Sequence, residues 1–482
     1  MRKLLVPILL ISIYCYSVIS FEKTFGKEWN DNANSVIQTS DGGYLFTGCQ
    51  VDSVDYKVSF FVVTKIDSLG EKEWEKTYTG GMTSSTLNNA GYSVIETTDG
   101  SYVAAGCIEE LNHLIHTVPY VIKLDPSGNK LWDYRFGSDG SVNISCSQII
   151  QTYEGGYALT GDDFGIGLLL KLDNEGEKVW TNDSSYLLDH INALVQTEDN
   201  GYALTGQGGL NDELCIYLVK TDSLGNLQWT EFFPGLFYSA DSYSLKITPD
   251  NGFIIIGKTQ QNASTDLGWL IKTDENGEKQ WDILIGEQGS ETESTVGRSL
   301  DLTSDGGYIL AGYTENRSTG LSDSWLIKTD SEGNELWTQT YGGEGDDRIY
   351  SVQQTTDGGY VLAGYTDSSG AGGKDMWIIK TDENGTEIES PFIPQSTELF
   401  QNYPNPFNPV TTISYALSQA GQAELSVFNL NGQLVSSLVN GKQEKGSHKV
   451  EFDAGDLTSG LYIYTLKVDG KAVQSRKMML LK

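Results

Sequence analysis

Hydrophobic and polar positions alternate through most of the chain in short runs, and the runs come in groups of four. The first group opens with SVIQT at residues 35–39, turns at SDGG (40–43), and returns through an apolar run led by Tyr44. Two further runs follow, at 60–66 and 73–78, joined by a DSLG turn. A period of two with β-branched and aromatic residues, interrupted by glycine turns, is typical of antiparallel strands. No sustained helical period interrupts this pattern.

The four-strand unit returns at a spacing of about fifty residues, in the range of propeller repeats. Its most regular part is the pattern Lys-x-Asp-x-x-Gly-x-x-x-Trp, and a seventh copy lacks only the tryptophan. The copies begin at Lys65, Lys123, Lys171, Lys220, Lys272, Lys328 and Lys380. An acidic turn residue precedes each copy, at Asp41, Asp99, Glu154, Asp199, Asp250, Asp305 and Asp357. The repeats predict an all-β fold, a seven-bladed β-propeller over residues 21–395.

The last unit leaves the repeat at Glu389 without a fourth strand. The segment FEKTFG at 21–26 aligns with WEKTY at 74–78 and WTQTYG at 337–342, which places Phe21 in the tryptophan position. We therefore expect the beginning of the mature chain to supply the outer strand of the last blade. Such a strand closes the ring and covers two exposed sheet edges.

The loops divide into two kinds. Turns between the first and second strands, and between the third and fourth, are short and repeated, whereas the connections on the opposite face vary in length and content. Variable loops on a rigid frame usually carry binding, so we expect a ligand on this variable face. Arg298, Arg317 and Arg348 all fall there, and guanidinium groups bind carboxylates bidentately. Surface ion pairs with neighbouring acids are the alternative interpretation.

Other candidate chemistry is less specific. The repeat aspartates fit a role inside their own turns, because an aspartate accepts backbone N–H bonds there. These are Asp67, Asp125, Asp173, Asp222, Asp274, Asp330 and Asp382. His113 and His116 beside two glutamates, Glu109 and Glu110, make a minimal metal set. Acid pairs can be drawn from Asp162 with Asp163, Asp346 with Asp347, or Asp323 with Asp375. None has a diagnostic spacing, so the sequence predicts no metal, no cofactor and no catalytic residue.

Charge and targeting features limit the function classes. The 482 residues carry a net charge of −33, and the whole acidic excess lies in the repeat region, which disfavours nucleic acid and anionic lipid as partners. Residues 1–20, with Arg2 and Lys3 before an apolar run, have the pattern of a secretory signal peptide. No later segment reaches the roughly 18 apolar residues of a membrane span.

The mature chain keeps four cysteines, Cys49, Cys107, Cys146 and Cys215. Cys49 and Cys107 directly follow equivalent glycines in neighbouring units, so a bridge between them fits the pattern. A set of buried thiols fits it as well. Four cysteines allow three pairings, and the sequence does not choose among them.

Residues 396–482 form a second predicted domain, a small antiparallel β-sandwich, after a Pro391-Phe-Ile-Pro394 linker. It begins with the proline-rich run Asn402, Tyr403, Pro404, Asn405, Pro406, Phe407, Asn408 and Pro409. FNLNG at 428–432, GSH at 446–448, SGLY at 459–462 and KMMLLK at 477–482 follow. With these motifs the segment resembles the type A C-terminal sorting domain of the bacterial type IX secretion system.

That resemblance implies a partner and a destination. It implies recognition by the type IX translocon and export across the outer membrane of a Gram-negative, Bacteroidota-like bacterium, commonly with removal of the domain and attachment of the cargo to the cell surface. It implies no activity for the cargo. We expect a surface-displayed binding or adhesion module without enzyme activity, whose ligand is an extracellular glycan or protein. The alternative is a secreted glycan-active enzyme, a glycosidase or lyase, with its site on the variable face.

Overall fold

The computed structural model describes residues 20–51, 58–79, 89–112, 114–136, 145–163, 165–182, 189–210, 213–316, 321–386, 397–399, 402, 405–443, 446–455 and 457–481. Throughout these ranges the regular secondary structure is β-strand, which confirms the predicted all-β class. The chain divides into two compact units, Met1–Ile388 and Glu389–Lys482. The predicted signal peptide up to residue 19 and the Pro391–Pro394 linker lie outside the described residues.

The first unit contains seven four-stranded antiparallel sheets among its described residues, numbered here as blades 1 to 7. Blade 1 is β2 (Asn32–Gln38), β3 (Tyr44–Val51), β4 (Ser59–Ile66) and β5 (Lys72–Tyr78). Blade 2 is β6 (Ala90–Glu96), β7 (Tyr102–Asn112), β8 (Leu114–Leu124) and β9 (Lys130–Arg135). Blade 3 is β10 (Gln148–Gln151), β11 (Tyr157–Asp163), β12 (Ile166–Leu172) and β13 (Lys178–Asn182). Blade 4 is β14 (His190–Gln196), β15 (Tyr202–Leu210), β16 (Glu213–Thr221) and β17 (Leu227–Pro234).

The remaining blades have the same order of strands. Blade 5 is β18 (Ala240–Ile247), β19 (Phe253–Gln260), β20 (Asp266–Thr273) and β21 (Lys279–Ile285). Blade 6 is β22 (Glu293–Leu302), β23 (Tyr308–Asn316), β24 (Leu321–Thr329) and β25 (Glu335–Tyr341). Blade 7 is β26 (Arg348–Gln354), β27 (Tyr360–Thr366) and β28 (Asp375–Thr381), and its outer strand is β1 (Phe21–Phe25).

Strand β1 closes the ring as the sequence predicts. It runs antiparallel to β28, with Phe21 opposite Lys380. Phe21 is 1% exposed and meets the ring of Tyr44 edge to face, with 5.6 Å between centroids. Trp74 makes the corresponding contact with Tyr102 of the next blade at 6.1 Å. Phe21 therefore takes the place of the missing tryptophan.

Neighbouring blades are joined through their first strands, which surround a central channel. The Ser35 hydroxyl accepts the backbone N–H of Val94 in the next blade at 3.3 Å. The Ser351 hydroxyl of blade 7 accepts the backbone N–H of Val36 in blade 1 at 3.2 Å. Because the last blade bonds back to the first, the sheets form a closed β-propeller.

The repeated face is built from one ion pair per blade. Each repeat lysine is at most 10% exposed, and its ammonium meets the acidic residue of the turn between the first two strands. The pairs are Lys65–Asp41 (2.9 Å), Lys123–Asp99 (2.7 Å), Lys171–Glu154 (3.5 Å), Lys220–Asp199 (2.7 Å), Lys272–Asp250 (2.8 Å), Lys328–Asp305 (3.0 Å) and Lys380–Asp357 (2.9 Å). We call these the turn pairs.

The repeat aspartates act within their own turns, as predicted. Asp67 Oδ1 accepts the backbone N–H groups of Leu69 at 2.8 Å and Glu71 at 2.9 Å. The same two bonds recur at Asp125, Asp173, Asp222, Asp274, Asp330 and Asp382. These aspartates stabilise the hairpins between the third and fourth strands.

The second unit is a two-sheet β-sandwich. One sheet contains β29 (Glu398–Leu399), β30 (Val410–Leu417) and β33 (Gly446–Asp453). The other contains β31 (Gly421–Phe428), β32 (Leu434–Gln443), β34 (Gly460–Val468) and β35 (Lys471–Leu480). Buried side chains from both sheets, such as Ile413 and Leu425, share one core.

The proline-rich run packs onto the last strand of this sandwich. Phe407 is 2% exposed, donates its N–H to the Met479 carbonyl at 2.9 Å and accepts the N–H of Leu481 at 3.0 Å. Asn402, also buried, donates its backbone N–H to the Tyr464 hydroxyl at 2.8 Å. Tyr403 and Pro404 lie outside the described residues. The two ends of the domain are thus bonded together.

Candidate functional site

The first strand of six blades presents one residue to the channel through a β-bulge, and blade 3 has a residue at the aligned position. In blade 1, Ala33 faces Gly48 and Ser35 faces Thr47, so Asn34 between them has no partner across the strand. The register shifts in the same way in blades 2, 4, 5, 6 and 7, and in blade 3 the aligned residue directly precedes β10. Bulges re-aim a side chain in this manner. The residues, which we call the bulge ring, are Asn34, Tyr92, Ser147, Asn192, Tyr243, Arg298 and Tyr350.

A glycine on the second strand makes each bulge possible. A Cβ atom on Gly48 would overlap the carbonyl oxygen of Asn32, two residues before the bulge residue. The same overlap occurs at Gly106, Gly161, Gly206, Gly257, Gly312 and Gly364. The repeated glycine at this position is therefore required by close approach of the neighbouring strand. It is also the sequence signal that marks the ring, which sequence reasoning missed.

All seven ring residues line one cavity of about 510 Å³. Asn32, Ser145, Cys146, Asp162 and Tyr313 complete its wall. The bulges lie near the beginning of the first strands, directly after the variable connections, so the cavity occupies the variable-face end of the channel. Its volume is within the range of about 300–1,000 Å³ found for small-molecule sites.

Arg298 is the cationic residue of this wall. Its guanidinium carbon lies 4.1 Å from the centroid of the Tyr243 ring and 5.1 Å from that of Tyr350. Its buried Nε has no hydrogen-bond partner among the described residues. The aromatic faces hold the guanidinium by cation–π attraction. This cation therefore stands in the cavity wall, where a guanidinium suits an anionic group.

The tyrosine beneath Arg298 is fixed in a neutral form. Burial, together with the negative charge of Asp241, raises the pKa of Tyr243 well above its usual value. Burial likewise raises the pKa of Asp241, although the hydrogen bond with Tyr243 opposes that change. Asn192 also donates to Asp241 Oδ1, at 3.1 Å. Tyr243 thus presents an uncharged, positioned ring to the cavity.

Arg348, in contrast, is occupied by acids of its own protein. Its Nε donates to Asp346 at 3.0 Å, and Nη2 lies 3.5 Å from Glu315. Asp346 also accepts bonds from Lys374 and Tyr365, each at 2.7 Å. Burial would raise the pKa of Asp346, but these donors lower it to about 2. Arg348 thus belongs to a network of ion pairs, the alternative that the sequence left open, and Arg317 lies outside the described residues.

The structure pairs the candidate aspartates differently from the sequence pattern. A Cβ on Gly26 would overlap Asp375 Oδ1 and stand 2.7 Å from Asp31 Oδ2, so these two carboxylates face each other across the glycine. Asp323 and Asp347 have the same relation across Gly342, each 2.9 Å from such a Cβ. Asp323 and Asp375 therefore do not form a pair.

The first of these pairs is deeply buried. Asp31 and Asp375 are both 0% exposed, and Asp375 Oδ1 has no hydrogen-bond partner among the described residues. Burial raises the pKa of Asp31 to about 6, against the bonds that it accepts from Val51 and Lys27. Burial also raises the pKa of Asp375. Sequence reasoning missed Asp31, whose partner lies far along the chain.

The remaining candidates give no further site. His113 and the side chain of His116 lie outside the described residues. Within the residues that the structure describes, no group of three or more His, Cys, Asp or Glu side chains is arranged to hold a metal ion. The four cysteines are free thiols. Cys107 is next to Cys146, whose backbone N–H donates to Cys107 Sγ at 3.1 Å, so the bridge between Cys49 and Cys107 is not formed.

Comparison with known proteins identifies the second unit. Residues 401–481 match the family described as the secretion system C-terminal sorting domain. The fold and this tail define the class of protein: an exported β-propeller that carries a type IX sorting domain. Its location is accordingly the cell surface or the surrounding medium. Among the described residues, no helix is long and apolar enough to cross a membrane.

Other comparisons concern the architecture. No curated protein matches the chain significantly. Among solved structures, Sqt1 of Chaetomium thermophilum is 11% identical over 74% of this chain and 97% of its own, with a TM-score of 0.44. A protein of unknown function from Dyadobacter fermentans is 12% identical over 74% and 97%, with a TM-score of 0.42. A fungal alcohol oxidase of the AA5 family, in complex with copper, is 10% identical over 96% and 98%, with a TM-score of 0.41. Likenesses this weak carry no argument about activity or ligand.

Proposed function

We propose that this protein is a binding module of the cell surface and that its ligand occupies the cavity within the bulge ring. The observation that carries the proposal is Arg298, a guanidinium held between Tyr243 and Tyr350 in the cavity wall, whose Nε has no hydrogen-bond partner among the described residues. A preorganised cation in a concave site of about 510 Å³ is the usual arrangement for capture of a small anionic group.

Binding without turnover is favoured by the state of the acids around this cavity. Asp162 is bonded to the Ser145 hydroxyl and lies 3.5 Å from His190 Nδ1. Asp241 is bonded to Asn192 and Tyr243. A glycosidase of the usual kind places two carboxyl groups on opposite sides of the bond that it cleaves, one of them free to deliver a proton. The acids near Arg298 serve instead to fix neighbouring side chains.

A glycan array probed with the full mature chain tests this proposal. We expect wild-type protein to retain at least one array member, and Arg298→Gln to weaken that binding by about tenfold or more, because hydrogen bonds to charged groups contribute about 1.5–3 kcal/mol. Arg135→Gln is the matched control, since Arg135 is an exposed arginine outside the cavity. Equal binding by wild-type and Arg298→Gln protein would show that the ligand lies elsewhere.

The same preparation tests the glycosidase or lyase alternative. The array would be accompanied by a panel of chromogenic glycosides and by polyuronates assayed for elimination. We expect no turnover. Turnover that is lost in Asp323→Asn or Asp375→Asn would establish an enzyme instead, because the amide keeps the shape of the side chain and removes its acid–base capacity.

A further inference from the structure

The wall of the cavity has two chemically different sides. Blades 5, 6 and 7 contribute Tyr243, Arg298, Tyr313 and Tyr350, which are aromatic or cationic. Blades 1, 3 and 4 contribute mainly neutral amides and hydroxyls, namely Asn32, Asn34, Ser145, Ser147 and Asn192, together with Cys146 and Asp162 of blade 3, and Tyr92 of blade 2 lies between them. One side therefore suits an anion and a stacked ring, and the other suits hydroxyl groups.

The aromatic side is held rigidly. The ring of Tyr350 lies 6.5 Å from that of Tyr313 and 5.8 Å from that of Tyr365. Arg348 covers Tyr313 at 4.5 Å, and Lys374 covers Tyr365 at 4.0 Å. The ion pairs that position Arg348 and Lys374 thus also support the site, because these two side chains pack on Tyr313 and Tyr365, the rings that contact Tyr350. A preorganised surface loses little conformational entropy on binding.

The polar side is fixed by hydrogen bonds that leave binding capacity. Asn34 donates to the Gly91 carbonyl at 2.8 Å and accepts from Asn32 at 2.9 Å. Asn192 donates to the Ser242 carbonyl at 2.8 Å and to Asp241. A primary amide has two donors and a two-lone-pair acceptor, so each asparagine keeps part of its capacity for hydroxyl groups of a ligand.

Charge limits how many anionic groups the ligand carries. The protein has a net charge of −33, which repels polyanions at long range. Within the described wall, Arg298 is the one cation, and it matches one carboxylate. A cavity of about 510 Å³ accommodates a short saccharide rather than a long chain.

We infer that the cavity recognises the end of a glycan that carries a single sugar acid, with the carboxylate on Arg298, the sugar ring against the tyrosines and the hydroxyls on the asparagine and serine side. The inference rests on the proposed function, since it names the ligand class of the same cavity. It sets uronates with one charge apart from polyuronates and from sulfated chains.

Titration calorimetry with matched glycosides tests this class. The probes are methyl β-glucuronide and methyl β-galacturonide, each compared with the neutral glycoside that lacks the carboxylate, and polygalacturonate. We expect one acidic glycoside to bind wild-type protein about tenfold or more tighter than its neutral match, because a charge-assisted bond to Arg298 is gained. We expect polygalacturonate to bind more weakly per residue than the preferred monomer.

Variants then separate failure of the class from failure of the site. Arg298→Gln should reduce the acidic glycoside to the affinity of its neutral match, Arg298→Lys should restore part of the difference, and Arg135→Gln should change nothing. Equal affinity for both members of every pair, lost in Tyr350→Ala, would refute the sugar-acid class and leave the cavity as the binding site. The absence of binding by every probe would also refute the class. Binding that survives both Arg298→Gln and Tyr350→Ala would refute the site itself.

Discussion

The turn pairs and the bulge ring each recur once in every one of the seven blades. The turn pairs keep the same kinds of residue in each blade, whereas the bulge ring does not. Every blade has a buried lysine and an acid at the turn pairs, with N to O distances of 2.7–3.5 Å. The aligned ring positions hold four different residue types, which in blade order are Asn, Tyr, Ser, Asn, Tyr, Arg and Tyr. The difference shows at which positions the fold requires a particular residue type and at which positions the residue type is free to vary.

The physical reason is burial. Lys380 is 0% exposed, and burial lowers its pKa against the opposing effect of Asp357, so its charge depends on the partner. Breaking a buried ion pair leaves an uncompensated charge. At the bulge ring the requirement falls on the opposite strand, where a glycine such as Gly48 must stand. The ring side chain itself extends into the channel and is therefore free to differ between blades.

Opening the ring should cause the largest loss of stability. Deletion of residues 21–25 removes the outer strand of blade 7 and exposes the edge of β28. We expect the whole propeller to lose stability in one transition, by more than the about 3–5 kcal/mol that removal of a single buried aromatic side chain costs. Calorimetric melting measures this loss. Phe21→Trp is the control and should melt like the wild type, since tryptophan is the residue of the other copies; a deletion variant that also melts like the wild type would contradict closure by β1.

The facing carboxylates of Asp31 and Asp375 provide the next largest effect. The pKa of Asp31 rises from its ordinary value of 3.8 to about 6 in the folded protein, so the folded state binds this proton more tightly than the unfolded state does. The associated stability is present below about pH 4 and is lost as the pH rises through about 6, up to roughly 3 kcal/mol. Urea unfolding from pH 4 to 7.5 measures the slope.

Asp375→Asn sharpens this test. An amide nitrogen at the position of the unpartnered Oδ1 would face Asp31 and donate to it, as a shared proton does. We expect the variant to be more stable than the wild type at pH 7.5 and to show a flatter pH dependence. If the variant has the same slope of stability against pH as the wild type, the contact between Asp31 and Asp375 does not cause the pH dependence.

A smaller effect on stability distinguishes the turn pairs from the bulge ring directly. Lys220→Met removes the charge-assisted bonds to Asp199 at 2.7 Å and to the Thr221 carbonyl at 2.8 Å. We expect a loss of about 1–3 kcal/mol in urea unfolding with ligand binding intact. Arg298→Gln should do the opposite: binding is lost, and the smaller change in stability reflects only the cation–π contacts with Tyr243 and Tyr350. Equal destabilisation by the two substitutions would remove the distinction between scaffold and site.

The sequence predicted the elements of this fold that depend on local pattern. Alternation and repeated turns identified the strands, and the alignment of Phe21 with the tryptophans identified the closing strand. The bulge ring was missed because a bulge adds one residue to the strand, so simple alternation misplaces the side chain. Its signals were nonetheless in the sequence: the glycine on the second strand, and the threonine that follows each ring residue by five positions, as Thr39 follows Asn34.

Arg298 and Arg348, the candidate arginines that the structure describes, show what sequence could not separate. Arg298 and Arg348 both lie in first strands, but Arg298 holds the bulge position and Arg348 stands two residues before one. That offset turns Arg348 toward Asp346 and Glu315 and leaves Arg298 between aromatic rings. Residues distant in sequence, Tyr243 and Tyr350, decide the surroundings of Arg298, as distant residues do for Asp31 and Asp375.

The closing strand also sets the order in which the molecule is completed. Trp377 Nε1 donates to Glu22 Oε1 at 2.7 Å across 355 positions of the chain, among the most non-local contacts in the propeller. Loop-closure entropy makes such long-range pairing slow relative to the formation of neighbouring hairpins. We therefore expect the blades to form one after another while the ring stays open, with β1 unpaired until β28 has formed. The ring is therefore unfinished until blade 7 has formed and has paired with β1.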